Sequence, residues 1–169
     1  MIFKFGKASI ANMAGLNPKL ITVANTAISL SEVDFGVQKK AVRTAFEQNQ
    51  LYQQGRTKPG KRVTDKDGYK NKSNHQVTSD GTGHSVDFTA WVNGEWDFDD
   101  WNHYYKIGHA VAQAAKIHNV KIKWGGNWYE CLNDYGNSLK DIIKAVDRYK
   151  ETHPGPDFID GPHFELMEG

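Results

Sequence analysis

Apolar residues recur along this chain at two periods, helical and strand-like, and the two interleave without regular order. That mixture limits the fold more than any other feature. Leu20, Val23, Ala24, Ala27 and Ile28 fall at helical spacing behind Asn17-Pro18, an N-cap followed by a helix-opening proline, which predicts a helix to about Leu30. Asp34 to Val37 is short and strand-like. Thr44-Ala45-Phe46-Glu47 has the form of a capping box and opens a helix through Tyr52, which Gly55 ends. Val86, Phe88 and Ala90 alternate with Asp87 and Thr89, as in a strand with one buried face, and Asn93-Gly94 marks a turn. Asp99 can cap a helix from Asp100 to about His118. Val120 to Trp124 alternates again until Gly125-Gly126 breaks it. Ser138, with Asp141 following, opens an amphipathic helix to about Lys150 that Pro154 and Pro156 prevent from continuing, and His163 to Leu166 reads as a last short strand. Such an order predicts an α+β fold, a small and largely antiparallel sheet flanked by helices, rather than a doubly wound one.

The 169 residues suit one domain, taken as 1–169. Lys and Arg total 21 against 20 Asp and Glu, without the strong basic excess that phosphate-backbone binding usually leaves, so nucleic acid is not an expected partner. The start of the chain lacks the apolar core of a secretory signal, and no run approaches the roughly 18 apolar residues of a membrane span, so a soluble protein made in the cytosol is expected. Cys131 is the lone cysteine, which excludes an intramolecular disulfide and any cysteine-rich zinc cluster. A bound metal would have to be held by histidine and carboxylate.

Seven histidines are available for that task. His103, His109 and His118 share one predicted helix but not the i, i+4 spacing that brings two imidazoles to one ion, and they read as solvated or packed residues. Two other contexts are richer. Ser73-Asn74-His75 lies in a long polar loop from Arg56 to Thr82 and leads to Gly83-His84-Ser85-Val86-Asp87, where Asp87 occupies the polar phase of a strand. Near the end, Asp160-Gly161-Pro162-His163-Phe164-Glu165-Leu166 again sets a histidine at a strand start. His84 reads as a loop residue or a neighbour of the site, and Glu165 either orients a neighbour or faces solvent.

These elements, in this order, resemble the zinc peptidases related to D-alanyl-D-alanine carboxypeptidases (VanY-like), and among them the phage L-alanyl-D-glutamate endopeptidases that act as endolysins. The family pattern is Ser-x-His, a Gly-containing spacer, an Asp on a strand and a distant Asp-or-Glu-x-x-His. Val42-Arg43-Thr44, Glu47-Gln48, the stretch Leu51 to Gly60, and Trp124-Gly125-Gly126-Asn127-Trp128 extend the resemblance over most of the chain.

The resemblance implies a hedgehog/DD-peptidase-like fold and one zinc ion held by His75, Asp87 and His163. It also implies Asp160 as the acid/base residue and Arg43 as a contact for the substrate carbonyl or carboxylate. The spacer after His75 is longer than in most relatives, and counting the shorter spacing back from Asp87 puts Asp80 in the first ligand position, so His75 and Asp80 both stand as candidates, with His75 preferred for its Ser-x-His context. The implied substrate is the peptidoglycan stem peptide, cut at the L-alanyl-D-glutamate bond, by a protein held in the host cytoplasm until a holin-type pore releases it to the wall. No separate wall-binding domain, membrane insertion or obligate protein partner is expected. The same chemistry would serve a D-alanyl-D-alanine carboxypeptidase or dipeptidase, and the fold alone could serve as a non-catalytic wall-binding module with a structural metal.

Overall fold

The computed structural model describes residues 2–153 and 159–167. Among them the chain runs α1 (Lys7–Asn12), α2 (Pro18–Leu30), β1 (Phe35–Gly36), α3 (Ala45–Gln53), β2 (Ser85–Asp87), β3 (Thr89–Val92), β4 (Glu95–Asp97), α4 (Trp101–His118), β5 (Ile122–Trp124) and β6 (Asn127–Cys131). A 3-10 turn (Leu132–Asp134), α5 (Leu139–Thr152) and β7 (His163–Leu166) follow. The fold is α+β, with two small antiparallel sheets in place of the single one expected: β1-β3-β4, and β2-β7-β5-β6.

Local hydrogen bonds set the helix ends. Asn17 accepts from the Lys19 N–H, and capping boxes close α3 at Thr44 and Glu47 and α5 at Ser138 and Asp141. Helix α4 starts one residue later than expected because Asp100 is its cap, accepting from the Asn102 N–H, while Asp97 accepts the Asp99 N–H. Pro154 and Pro156, expected to stop α5, lie outside the described residues. The alternating run at residues 86–90 divides between the sheets. Val86, Phe88 and Ala90 are all fully buried, so the period holds, but at Phe88 the chain leaves β2, crossing from one sheet to the other. Helix α1 and strands β4 and β6 were not expected: Gly6 offers α1 no side-chain cap, and β4 and β6 are short and half-exposed.

Helices α2 and α4 bury their apolar stripes, Leu20, Val23, Ala27, Ile107, Val111 and Ala114 among them, at the centre of the core. Beside them Trp124 stacks on Phe164 with ring centroids 5.9 Å apart, and Phe88 meets Phe164 at 5.4 Å. The polar loop 56–82 has no helix or strand, yet it is pinned to α3: the buried Gln48 donates to Thr64 Oγ1 and the Lys66 carbonyl, and Asn49 donates to the Asp67 carbonyl. Thr44→Ala removes the cap of the helix that anchors this loop. It should cost about 1 kcal/mol and lower the thermal midpoint by roughly 2–4 °C in a calorimetric scan.

Candidate active site

Strands β2 and β7 pair with Asp87 opposite His163 and Ser85 opposite Glu165. The Phe88 N–H donates to the Pro162 carbonyl and the Leu166 N–H to the His84 carbonyl, both at 2.9 Å. Alternation along an antiparallel ladder then makes 87/163 and 85/165 the non-hydrogen-bonded pairs, where facing side chains stand closest. Val86 and Phe164, on the opposite face, are fully buried in the core. Apolar anchoring on one face thus fixes the register that aligns Asp87 with His163 on the other.

His75 reaches the same point from the long loop. The Ser73 hydroxyl accepts its N–H at 3.3 Å, its carbonyl accepts the Arg43 N–H at 2.7 Å, and its Nδ1 contacts the Ala41 carbonyl at 2.9 Å. His75 is buried, its side chain 4% exposed. His75 Nε2 is 3.2 Å from His163 Nδ1 and 3.3 Å from Asp87 Oδ1, and His163 Nδ1 is 3.4 Å from the same oxygen. Tetrahedral zinc with ligands at about 2.0–2.1 Å requires ligand atoms roughly 3.3 Å apart. The triangle fits that requirement on all its edges.

The remaining candidates divide. Asp160 belongs to a tight turn clasped by Gly125: its N–H donates to the Gly125 carbonyl, the Gly125 N–H donates to the His163 carbonyl, and the His163 N–H closes back to the Asp160 carbonyl. Arg43 donates from Nη2 to Asp87 Oδ2 at 2.7 Å and from Nη1 to Gln48 Oε1 at 3.3 Å, so it meets the outer oxygen of the triangle's carboxylate. Both residues line a groove of about 760 Å³ with His75, Asp87, His163 and Trp128. Asp80, the other candidate for first ligand, stands outside the triangle. Its carboxylate accepts from the Thr82 N–H and hydroxyl and from Thr78, and it pairs with His84 at 2.8 Å. Those bonds, Thr82 first, hold its carboxyl far below the usual range. His103, His109 and His118 are also apart, contacting Asp97, the Asn137 carbonyl and Thr26 respectively.

Electrostatics at the triangle are strongly coupled. Burial raises the Asp87 carboxyl, but His75 and His163 outweigh it and hold the group well below its ordinary value. Burial likewise opposes charge on His163, yet Asp87 and Glu165 on either side of the ring push its pKa up to about 10. Asp160 shifts the other way: burial, then the neighbouring Asp87 charge, raises its carboxyl.

Several contributors escaped sequence reasoning. The Ala41 carbonyl is backbone and leaves no mark in a sequence. Gln48 was noted only as part of a motif, though a fully buried glutamine is itself a signal once burial is known. Trp128, part of the Trp124–Trp128 motif read from the sequence, stands 5.2 Å ring to ring from His163 and follows a glycine pair whose purpose is steric. A Cβ on Gly125 would collide with the Asp160 backbone, and one on Gly126 would enter the Trp124 ring.

Residues 1–167 match the model of a family described as phage L-alanyl-D-glutamate peptidase. The chain is 31% identical over 140 residues to the L-alanyl-D-glutamate peptidase of Escherichia phage T5, spanning 83% of this chain and 91% of that one. It is similar in structure to the Serratia marcescens L-Ala D-Glu endopeptidase ChiX, with a TM-score of 0.64 and 25% identity over 98% of this chain and 90% of that one.

The glycine clasp can be tested by stability. Gly125→Ala forces backbone against backbone at the Asp160 turn and should cost about 1–3 kcal/mol in chemical denaturation, whereas Gly6→Ala, with open space and φ −73°, should stay within about 0.5 kcal/mol.

Proposed function

Because the chain belongs to the phage L-alanyl-D-glutamate peptidase family, we propose that it is a zinc-dependent peptidoglycan hydrolase that cuts the L-alanyl-D-glutamate bond of the stem peptide. The observation that carries the metal part of this reading is the triangle of His75 Nε2, Asp87 Oδ1 and His163 Nδ1, with edges of 3.2, 3.3 and 3.4 Å. Two imidazoles and one carboxylate are a donor set suited to catalytic zinc with an open fourth position. When bound, zinc would supply a water acidic enough to ionise near neutral pH and a Lewis acid for the scissile carbonyl.

The chain's own residues do the rest. Asp160, in the same groove and raised by burial, takes the proton of the attacking water and hands it to the departing amine. Arg43 has two tasks: it anchors Asp87 from outside the triangle, and its permanent charge in the groove meets substrate oxygen as negative charge develops there. Trp128 and the loop residues Val63 and Thr64 wall the groove, supplying the contact area for an extended peptide. The biological reading is lysis of the host wall after release from the cytoplasm through a holin-type pore.

Digestion of purified peptidoglycan followed by mass spectrometry tests the bond. A new D-glutamate amino terminus is expected. Release of free D-alanine alone would overturn the proposal in favour of a carboxypeptidase, and wall binding with no product in any form would favour a non-catalytic module. Chelation should abolish hydrolysis and zinc should restore it. Asp160→Asn should lower kcat by about 10²–10⁴ with zinc content unchanged. For the ligand set, His75→Ala should lose zinc on metal analysis and Asp80→Ala should keep it; the reverse pattern would refute the assignment.

A further inference from the structure

Both histidines of the triangle engage their second ring nitrogen with a protein oxygen, and they do so through opposite atoms. His75 turns Nδ1 to the Ala41 carbonyl at 2.9 Å and leaves Nε2 inside the triangle. His163 turns Nε2 to Glu165 Oε2 at 3.1 Å and leaves Nδ1 inside it. A carbonyl or an ionised carboxylate only accepts, so each contact keeps a proton on the outward nitrogen; a cation that displaces any inward proton would then meet the inward lone pair.

The two arrangements differ in what enforces them. For His75 the acceptor is backbone, given by the path of the chain. For His163 it is one side chain, and that side chain is itself held. Asn74 Nδ2 donates to Glu165 Oε2 at 2.9 Å, and Lys123 Nζ stands 3.9 Å from Oε1. Glu165 lines the same groove as Asp87 but is less exposed, 15% against 36%. Its carboxylate meets the ring nitrogen that points out of the triangle. Among the described residues the ligand atoms that converge there belong to His75, Asp87 and His163.

Ring orientation matters because a half-turn about the Cβ–Cγ bond replaces Nδ1 with a carbon. Trp128 packs against the ring but cannot tell its two edges apart, whereas a hydrogen-bond acceptor can. We propose that Glu165 is a positioning residue: by accepting the Nε2 proton of His163 it fixes the ring edge and tautomer that present Nδ1 to the metal, with Asn74 holding the carboxylate in place. The middle residue of Ser73-Asn74-His75 thereby takes part in the site, bracing one ligand while its neighbour supplies another. The inference rests on the metal reading above and deepens it.

Competition with a chelating dye measures the zinc affinity of the parent protein and of Glu165→Ala, Glu165→Gln and Asn74→Ala. Glu165→Ala should bind about 10–100-fold more weakly. Glu165→Gln should recover part of that loss, because its amide oxygen still accepts from Nε2, and Asn74→Ala should weaken binding by less than Glu165→Ala. Long-range ¹H–¹⁵N spectra of the zinc-loaded parent should show His163 bound through Nδ1 and His75 through Nε2, and Glu165→Ala should shift His163 toward binding through Nε2, a change that a purely structural role for Glu165 would not produce. Glu165→Ala with an affinity within about twofold of the parent and His163 still bound through Nδ1 would overturn the proposal. Should Glu165→Ala fail to fold, Asn74→Ala decides by the same criterion. A parent that binds no zinc would remove both this inference and the metal reading. A parent that binds zinc and shows the Glu165 effect but cuts no peptidoglycan would leave this inference standing and remove the proposed reaction.

Discussion

The antiparallel pairing of β2 with β7 holds everything else at the site in place. It joins residues about halfway along the chain to residues at its end, and the fully buried Val86 and Phe164 lock the register from the core side. A slip of one residue would turn Asp87 and His163 into the core and expose two apolar side chains, so the hydrophobic face protects the polar one. A carboxylate and an imidazole desolvated together would be costly alone. Facing each other they are mutually stabilised, and the opposed shifts of Asp87 and His163 express that coupling.

Around this pair the chain adds parts that carry little regular structure. The loop bearing His75 is long and polar, yet it is not loose where it matters: the Arg43 N–H, the Ala41 carbonyl and the Ser73 hydroxyl grip His75 from three directions. The turn bearing Asp160 is clasped by Gly125 through reciprocal backbone hydrogen bonds, at a distance only glycine permits. Rigid elements thus present two members of the triangle, and well-bonded loops bring the third together with Asp160. That division leaves room for an open groove on one side while the core remains closed on the other.

Helix starts were the most legible features of the sequence, because caps are local. The hydroxyl of Thr44 or Ser138 and the carboxylate three residues on satisfy each other's backbone neighbours whatever the rest of the fold does. Strand identity was less legible. The alternation from Val86 to Ala90 correctly indicated one buried face but could not reveal that the chain changes sheets at Phe88, since a period of two records burial and not partners. Strands β4 and β6 left little trace because most of their side chains are half-exposed. In the site, the residue types and their order were readable, and so was the likeness to a peptidase family. The preference for His75 over Asp80 rests on the Ser-x-His context; that His75 meets Asp87 and His163 depends on distant segments, whereas Asp80 bonds mainly within its own turn, to Thr78, Thr82 and His84.

The residues in order already limit the chemistry available: one cysteine, so histidine and carboxylate as metal donors; capped helices and short alternating strands, so an α+β frame. Long-range packing selects which of seven histidines converge, which nitrogen each turns inward, and that the Glu165 carboxylate meets the His163 ring. The physical reason is range. Capping and periodicity are settled within a few residues, whereas a triangle with edges near 3.3 Å, drawn from residues 75, 87 and 163, is set by sheet register and backbone hydrogen bonds between segments far apart in the chain.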